Sequence, residues 1–236
     1  MRALYAPRLS DRSSLYDAVD GRTGFCVQCG NVMSLNKRRA IFLDRDGTLN
    51  EERGYITELA QFSLYDYAAE AVRRINEAGW LAVVITNQAG IARGLYTESF
   101  LDELHATMRT QLLAQGARLD GVYYCPHLMP ERFEPHELAN AALQPWRIVC
   151  DCRKPKPGML ERAARELEID LSASVIIGDR YGDVEAGHAA GARGALLMTG
   201  HGQSEYELRA QWSRQPEFIA DNLLAAVEQI LRNEVR

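Results

Sequence analysis

Two carboxylates, Asp44 and Asp46, stand two residues apart directly after the apolar run Ala40-Ile41-Phe42-Leu43, with Gly47 and Thr48 following. Carboxylates so placed sit where strand becomes loop, and the glycine permits a tight backbone path. In open α/β sheets the carboxyl ends of strands are where ligands bind. One carboxylate can attack while the other handles protons, which points to phosphoryl transfer through a phosphorylated aspartate. Three further polar clusters serve that chemistry. Thr86-Asn87-Gln88-Ala89-Gly90 follows the apolar run 81–85, and Gly178-Asp179-Arg180-Tyr181-Gly182-Asp183 follows 175–177. Arg153-Lys154-Pro155-Lys156-Pro157-Gly158 precedes a helical pattern. A phosphomonoester dianion repels a carboxylate nucleophile, so a divalent cation must neutralise both, and oxygen-only ligands with waters suit Mg²⁺. Asp44 and Asp179 are the natural ligands. Asp183 can cap the helix it opens, bind a metal-held water, or do both. A lysine and a hydroxyl can hold the equatorial oxygens as charge spreads in the transition state. Asp46 can protonate the leaving alkoxide, then take a proton from the hydrolytic water.

Strand-length apolar runs at 40–43, 81–85, 121–124, 175–177 and 195–198 alternate with helical patterns. Helices are predicted over 66–78, 97–114, 158–167, 183–190 and 222–231. Gly79 ends the first as a C-terminal cap, and Thr97 caps the start of the second. This alternation predicts an α/β fold, a doubly wound, mostly parallel sheet with helices on both faces. Such a sheet gathers its strand ends, and so these polar clusters, on one rim. Only 37 residues separate Thr48 from Thr86, and 67 run from Asn87 to Arg153, so neither gap has room for a separate domain.

The 236 residues are 47% hydrophobic and 25% charged, which suits one globular domain with appendages. Residues 1–38 read as a poorly ordered N-terminal extension and 39–236 as the catalytic domain. The formal charge of -5 argues against nucleic acid as a partner, and no run reaches the length of a membrane span. The start of the chain has no secretory signal pattern, so a cytoplasmic protein is expected; separately, it is expected to be a monomer. Five cysteines in a reducing compartment are thiols or metal ligands. Cys125, His127, Cys150 and Cys152 offer three thiolates and an imidazole, a complete set for a structural, tetrahedral Zn²⁺ that pins the loop 125–152 beside Lys154. His136 competes with His127 as ligand, and buried reduced thiols are the alternative. Cys26 and Cys29 make only half a site. The intervening segment 128–149 either walls the pocket or is a surface loop.

The order Asp44-x-Asp46-Gly47-Thr48, Thr86-Asn87, Lys154, Gly178-Asp179-x-x-x-Asp183 resembles the four motifs of haloacid dehalogenase superfamily phosphatases, over about residues 39–200. Larger members of that superfamily carry a large cap domain over the site, which is not expected here. Residues 42–50, 86–94 and 150–155 are similar to the subgroup of D-glycero-D-manno-heptose 1,7-bisphosphate 7-phosphatases and histidinol-phosphate phosphatases. The resemblance implies Asp44 as nucleophile and Asp46 as general acid/base. It implies Mg²⁺ held by Asp44, Asp179 and the Asp46 carbonyl, with Thr86 and Lys154 steadying the phosphoryl group. It assigns substrate recognition to Arg153, to Glu52, Arg53, Gly54 and Tyr55, and to the stretch that includes Asn87, Gln88 and Ala89. Ala89 stands where the heptose enzymes often carry serine. Arg180 stands where they commonly carry lysine, and the histidinol-phosphate enzymes resemble it better. Cations gather near the site, namely Arg45, Arg53, Arg93, Arg153, Lys154, Lys156 and Arg180, and favour a small sugar bisphosphate over a monophosphate. The expected activity is hydrolysis of the 7-phosphate of the heptose bisphosphate. Histidinol-phosphate hydrolysis is the alternative, and a receiver-like switch that keeps its phosphoaspartate is the non-enzymatic one.

Overall fold

A computed structural model describes residues 37–133 and 140–234. The readings of residues 1–36, with Cys26 and Cys29, and of His136 lie outside the described residues. Six parallel strands form one sheet: β1 (Ala40–Leu43), β2 (Leu81–Asn87), β3 (Gly121–Cys125), β4 (Val175–Gly178), β5 (Arg193–Leu197) and β6 (Phe218–Ala220). Their order is β3-β2-β1-β4-β5-β6, so the chain winds outward from β1 to β3 and then returns to its other side. The reversal falls between β1 and β4, which opens a crevice at their carboxyl ends.

Period-two alternation explains the two layers of core. Ile41 and Leu43 of β1, Ala82 and Val84 of β2, and Val175 and Ile177 of β4 face one side. There they meet α1 (Ala68–Glu77), α3 (Glu98–Leu113) and α7 (Leu223–Glu234). Ala40, Phe42, Leu81, Val83, Ile85 and Ile176 face the other side, against α4 (Gly158–Leu167) and α5 (Tyr181–Ala189). Each fully buried Ile, Leu or Phe stabilises by roughly 1.5–3 kcal/mol, so the central strands form a rigid base for their polar ends.

The five expected strands and five expected helices are all present: β1 and α4 keep their expected bounds, and the others shift by one to three residues at one or both ends. Thr97 caps α3, its hydroxyl accepting from the Phe100 N–H at 3.2 Å, and Gly79 follows α1 at φ 75°. Helix α5 begins at Tyr181, so Asp183 lies within its first turn rather than at the cap. Its carboxylate still accepts from the Arg180 N–H at 3.1 Å. Among the described residues, β6, with three residues, the short helices α2 (Gly90–Arg93) and α6 (Gly202–Glu207), and several short 3-10 helices go beyond the sequence reading. The segment after β3 packs Leu128, Phe133 and Trp146 against Ala89 and Ala92, which braces α2. No helix among the described residues is long and apolar enough to cross a membrane.

Candidate active site

Asp44 leaves β1 with its N–H donated to the Ile177 carbonyl at 2.9 Å, so the loop starts from the middle of the sheet. Lys154 arrives from the loop before α4. Its ammonium donates to the Ile85 carbonyl at 2.8 Å and pairs with Asp44 at 2.8 Å and Asp183 at 2.6 Å. Asn87 fixes that loop through two backbone bonds, donating to the Lys154 carbonyl and accepting from its N–H, both at 3.1 Å. Carboxylate oxygens of Asp44, Asp179 and Asp183 lie within 4.8 Å of one another, all buried.

One lysine faces three buried carboxylates. Burial first, with Asp183 and Asp46 adding to it against the pull of Lys154, raises Asp44 from 3.8 to about 6. Burial and the neighbours Asp44 and Asp183 raise Asp179 to about 8. Burial alone would lower Lys154, but Asp183 and Asp44 overcome it and hold the ammonium charged. The excess negative charge calls for a cation. Asp179 Oδ2 accepts from the His201 N–H at 2.8 Å, while its Oδ1 is fully buried without a partner. A free carboxylate oxygen in an all-oxygen cluster fits Mg²⁺. Gly47, at φ 75°, lies against this carboxylate, and a Cβ there would overlap it. The Thr199 hydroxyl ties the same loop down by donating to the Gly47 carbonyl at 2.6 Å.

Asp46 lies on the side of the site nearer β2. Its carboxylate accepts from Arg45 Nη2 at 2.9 and 2.8 Å, Asn50 Nδ2 at 3.0 Å and Gln88 Nε2 at 2.9 Å. Gln88 also donates to Thr86 Oγ1 at 2.9 Å, which links the hydroxyl at the end of β2 to the carboxylate after β1. Arg45, counted in the sequence among cations for a second phosphate, is instead turned inward and is only 2% exposed. Asn50, buried beside Asp46, and the Thr199–His201 loop are site features that the sequence reading did not assign. A buried asparagine one turn beyond the carboxylates was the available signal.

The expected recognition residues form two groups. Arg53, Gly54, Tyr55 and Arg180 are exposed around the rim, and Arg53 pairs with Glu51. Glu52 accepts from the Gly54 N–H at 2.6 Å and lies 3.6 Å from His201 Nε2. Asn87 and Gln88 have their side chains engaged in holding Lys154 and Asp46, and Ala89 is buried in the small core that supports α2. Arg153 reaches the His127 carbonyl at 3.3 Å.

That carbonyl belongs to the second cluster. Cys125, His127, Cys150 and Cys152 place their donor atoms within 4.8 Å of one another. The Cys125 sulfur lies 3.6 Å from that of Cys150, near the ~3.8 Å spanned by two thiolates on a tetrahedral ion with ~2.3 Å bonds, and 3.0 Å from that of Cys152, so these two sulfurs would move apart on taking a metal. His127 Nδ1 is 3.2 Å from Cys152 Sγ. Without a metal the thiols divide their protons unequally. The hydrogen bond between Cys125 and Cys152, with His127 helping, lowers Cys152 to about 5, while that same bond and burial push Cys125 up. The donor set fits a metal that would hold all three as thiolates.

A family model described as HAD-hydrolase-like matches residues 151–226. D-glycero-D-manno-heptose-1,7-bisphosphate 7-phosphatase of Thermosynechococcus vestitus is 43% identical over 195 residues, 82% of this chain and 95% of that protein. The D-glycero-beta-D-manno-heptose-1,7-bisphosphate 7-phosphatase of Escherichia coli K12 is 42% identical over 159 residues, 67% of this chain and 78% of the relative. The crystal structure of D,D-heptose 1,7-bisphosphate phosphatase from B. bronchiseptica, complexed with magnesium and phosphate, aligns with TM-score 0.68 and 30% identity. That alignment covers 83% of this chain and 99% of the other. With a HAD-type parallel sheet and relatives matched over most of their own length, this chain belongs to the heptose-1,7-bisphosphate 7-phosphatase family of HAD-like phosphatases.

Proposed function

We propose that this phosphatase removes the 7-phosphate of D-glycero-D-manno-heptose 1,7-bisphosphate, in a reducing cytoplasm, through a phosphoaspartate on Asp44. The observation that carries the reading is Asp44 itself, buried against Lys154 and two further carboxylates, one with an unpartnered oxygen. Asp44 and Asp179, with the Asp46 carbonyl, would hold Mg²⁺, and Asp183 would act through a water. When bound, the ion offsets the repulsion between a carboxylate and a phosphate dianion. Asp44 Oδ attacks phosphorus as the bond to the sugar oxygen breaks. Asp46 gives that oxygen its proton. Lys154 and Thr86 hold the equatorial oxygens. Asp46 then takes a proton from water, whose oxygen displaces Asp44 and releases inorganic phosphate.

Cys125, His127, Cys150 and Cys152 would hold Zn²⁺ as a structural clip. Its support is mechanical: Arg153 and Lys156 donate to the backbone carbonyls of His127 and Cys150, so the clip and the loop bearing Lys154 are one unit. Glu52–Tyr55, Arg153 and Arg180 would meet the sugar and its second phosphate, with residues 86–89 forming the floor beneath them. A phosphate-release screen over sugar bisphosphates, sugar monophosphates and histidinol phosphate tests the substrate. The heptose bisphosphate is expected to give the highest kcat/KM, and a preference for histidinol phosphate would overturn the assignment.

A further inference from the structure

Asp46 is held by two chains of contacts that converge on the segment leading into and through α3. On one side, Arg45 Nη1 lies 3.3 Å from His105 Nε2. Arginine has only donors, so Nε2 must accept and the imidazole carries its proton on Nδ1. Burial, then the charges of Arg45 and Arg109, keep His105 neutral, which leaves that lone pair available. His105 lies on the buried stripe of α3 with Leu101, Leu104 and Met108, so the ring has a rigid seat. On the other side, the Tyr96 hydroxyl donates to Gln88 Oε1 at 2.6 Å. That bond fixes the orientation of the amide, whose nitrogen must then point at Asp46 and Thr86. Burial raises the Tyr96 phenol to about 12, so it stays a donor. Its ring lies against Gly90, where any side chain would collide.

Neither His105 nor Tyr96 touches Asp46, yet each determines where the donor that does touch it can stand. We propose that His105, through Arg45, and Tyr96, through Gln88, are positioning residues that aim the Asp46 carboxylate at the leaving oxygen. The inference rests on Asp46 being the acid that protonates the leaving group.

The test separates aiming from mere support of the fold. A sugar alkoxide needs a proton as it leaves; p-nitrophenolate does not. Because kcat/KM reports events up to release of the first product, a badly aimed acid should show on the sugar substrate and fade on the aryl ester. His105→Leu and Tyr96→Phe are each expected to lower kcat/KM for the heptose bisphosphate roughly tenfold, and for p-nitrophenyl phosphate less than about threefold. His105→Gln offers an amide oxygen near the position of Nε2 and should recover most of the loss. If His105→Leu does not fold, His105→Phe, which keeps a ring on the buried stripe and removes the acceptor, takes its place with the same expected losses. Magnesium affinity by calorimetry should stay within about twofold in all three, since none reaches Asp44 or Asp179. Equal losses on both substrates, or unchanged or raised kcat/KM on the sugar, overturn the proposal. Asp46→Asn is the control: if it hydrolyses the sugar substrate at full rate, the acid assignment fails. If it is inactive while the His105 and Tyr96 variants behave as wild type, only the positioning claim fails.

Discussion

At the centre of the sheet a cluster of carboxylates surrounds one lysine; at the β3 edge three thiols surround one imidazole. Both join a strand end to the loop before α4 and both suit a metal, but their donors are occupied differently. In the carboxylate cluster Asp179 Oδ1 has no partner, so the group can take a ligand without breaking an internal bond. In the thiol cluster Cys125 contacts both Cys150 and Cys152, and His127 contacts Cys152, so the set is closed on itself. An open oxygen cluster at a crevice can exchange ligands and turn over. A closed sulfur and nitrogen cluster fastens chain to chain. The lesson is that the first should fail in chemistry when damaged and the second in stability.

The largest effect is expected at the centre. Asp44→Asn keeps the shape and removes the nucleophile, so kcat should fall by more than about a thousandfold while Tm stays near or above wild type. Loss of a buried charge that already carries a raised pKa of about 6 relieves repulsion among the carboxylates. Steady-state kinetics with a melting curve would check both, and appreciable activity would break the contrast. At the edge, Cys150→Ser should empty the metal from the cluster and lower Tm by about 5 °C or more, with kcat at low temperature reduced less than about tenfold. Metal analysis and calorimetry decide it, and a stable, zinc-replete variant would remove the clip.

These positions differ in how legible they were in the sequence. Asp44, Asp46, Thr86 and Asp179 were readable because short apolar strands end at or just before them, and a parallel sheet must bring such ends to one rim, while Lys154 was readable from its place between Arg153 and Pro155-Lys156-Pro157-Gly158 before a helix. The thiol set was readable from Cys-x-His and Cys-x-Cys spacing. His105 was not, because a histidine at helical spacing among leucines looks like core until Arg45 is seen to turn inward. Gln88 and Asn87 were read as substrate residues, but the hold of their amides on Asp46 and Lys154 was not legible, since those contacts are separated by 42 and 67 residues in sequence. β6 and α2 escaped notice because three or four residues carry no periodic signal. The length of the 128–149 segment was visible, but its support of Ala89 and Ala92 depends on tertiary packing.

A smaller effect sharpens the same contrast through pH. Asp44 and Asp179 are raised from 3.8 to about 6 and about 8. Between those values the folded, metal-free protein holds protons that the unfolded chain has released. Its stability therefore falls as pH rises from about 4 through about 8. Magnesium replaces those protons and should abolish the fall. Melting in chelator at pH 5 and pH 8 is expected to differ by a few degrees, and the difference should vanish with Mg²⁺ present. A chelator chosen to spare the thiol cluster keeps the two sites separate. A metal-free Tm that climbs over this range contradicts the picture of crowded carboxylates.

The most direct measurement is acid quench of wild-type enzyme within milliseconds of mixing with substrate labelled in the phosphate to be removed, followed by peptide mapping. Acid-stable, hydroxylamine-labile label is expected on the peptide carrying Asp44, formed and lost at rates compatible with kcat, and none in Asp44→Asn. Label on another residue, or turnover with no phosphoenzyme at any time, would contradict it.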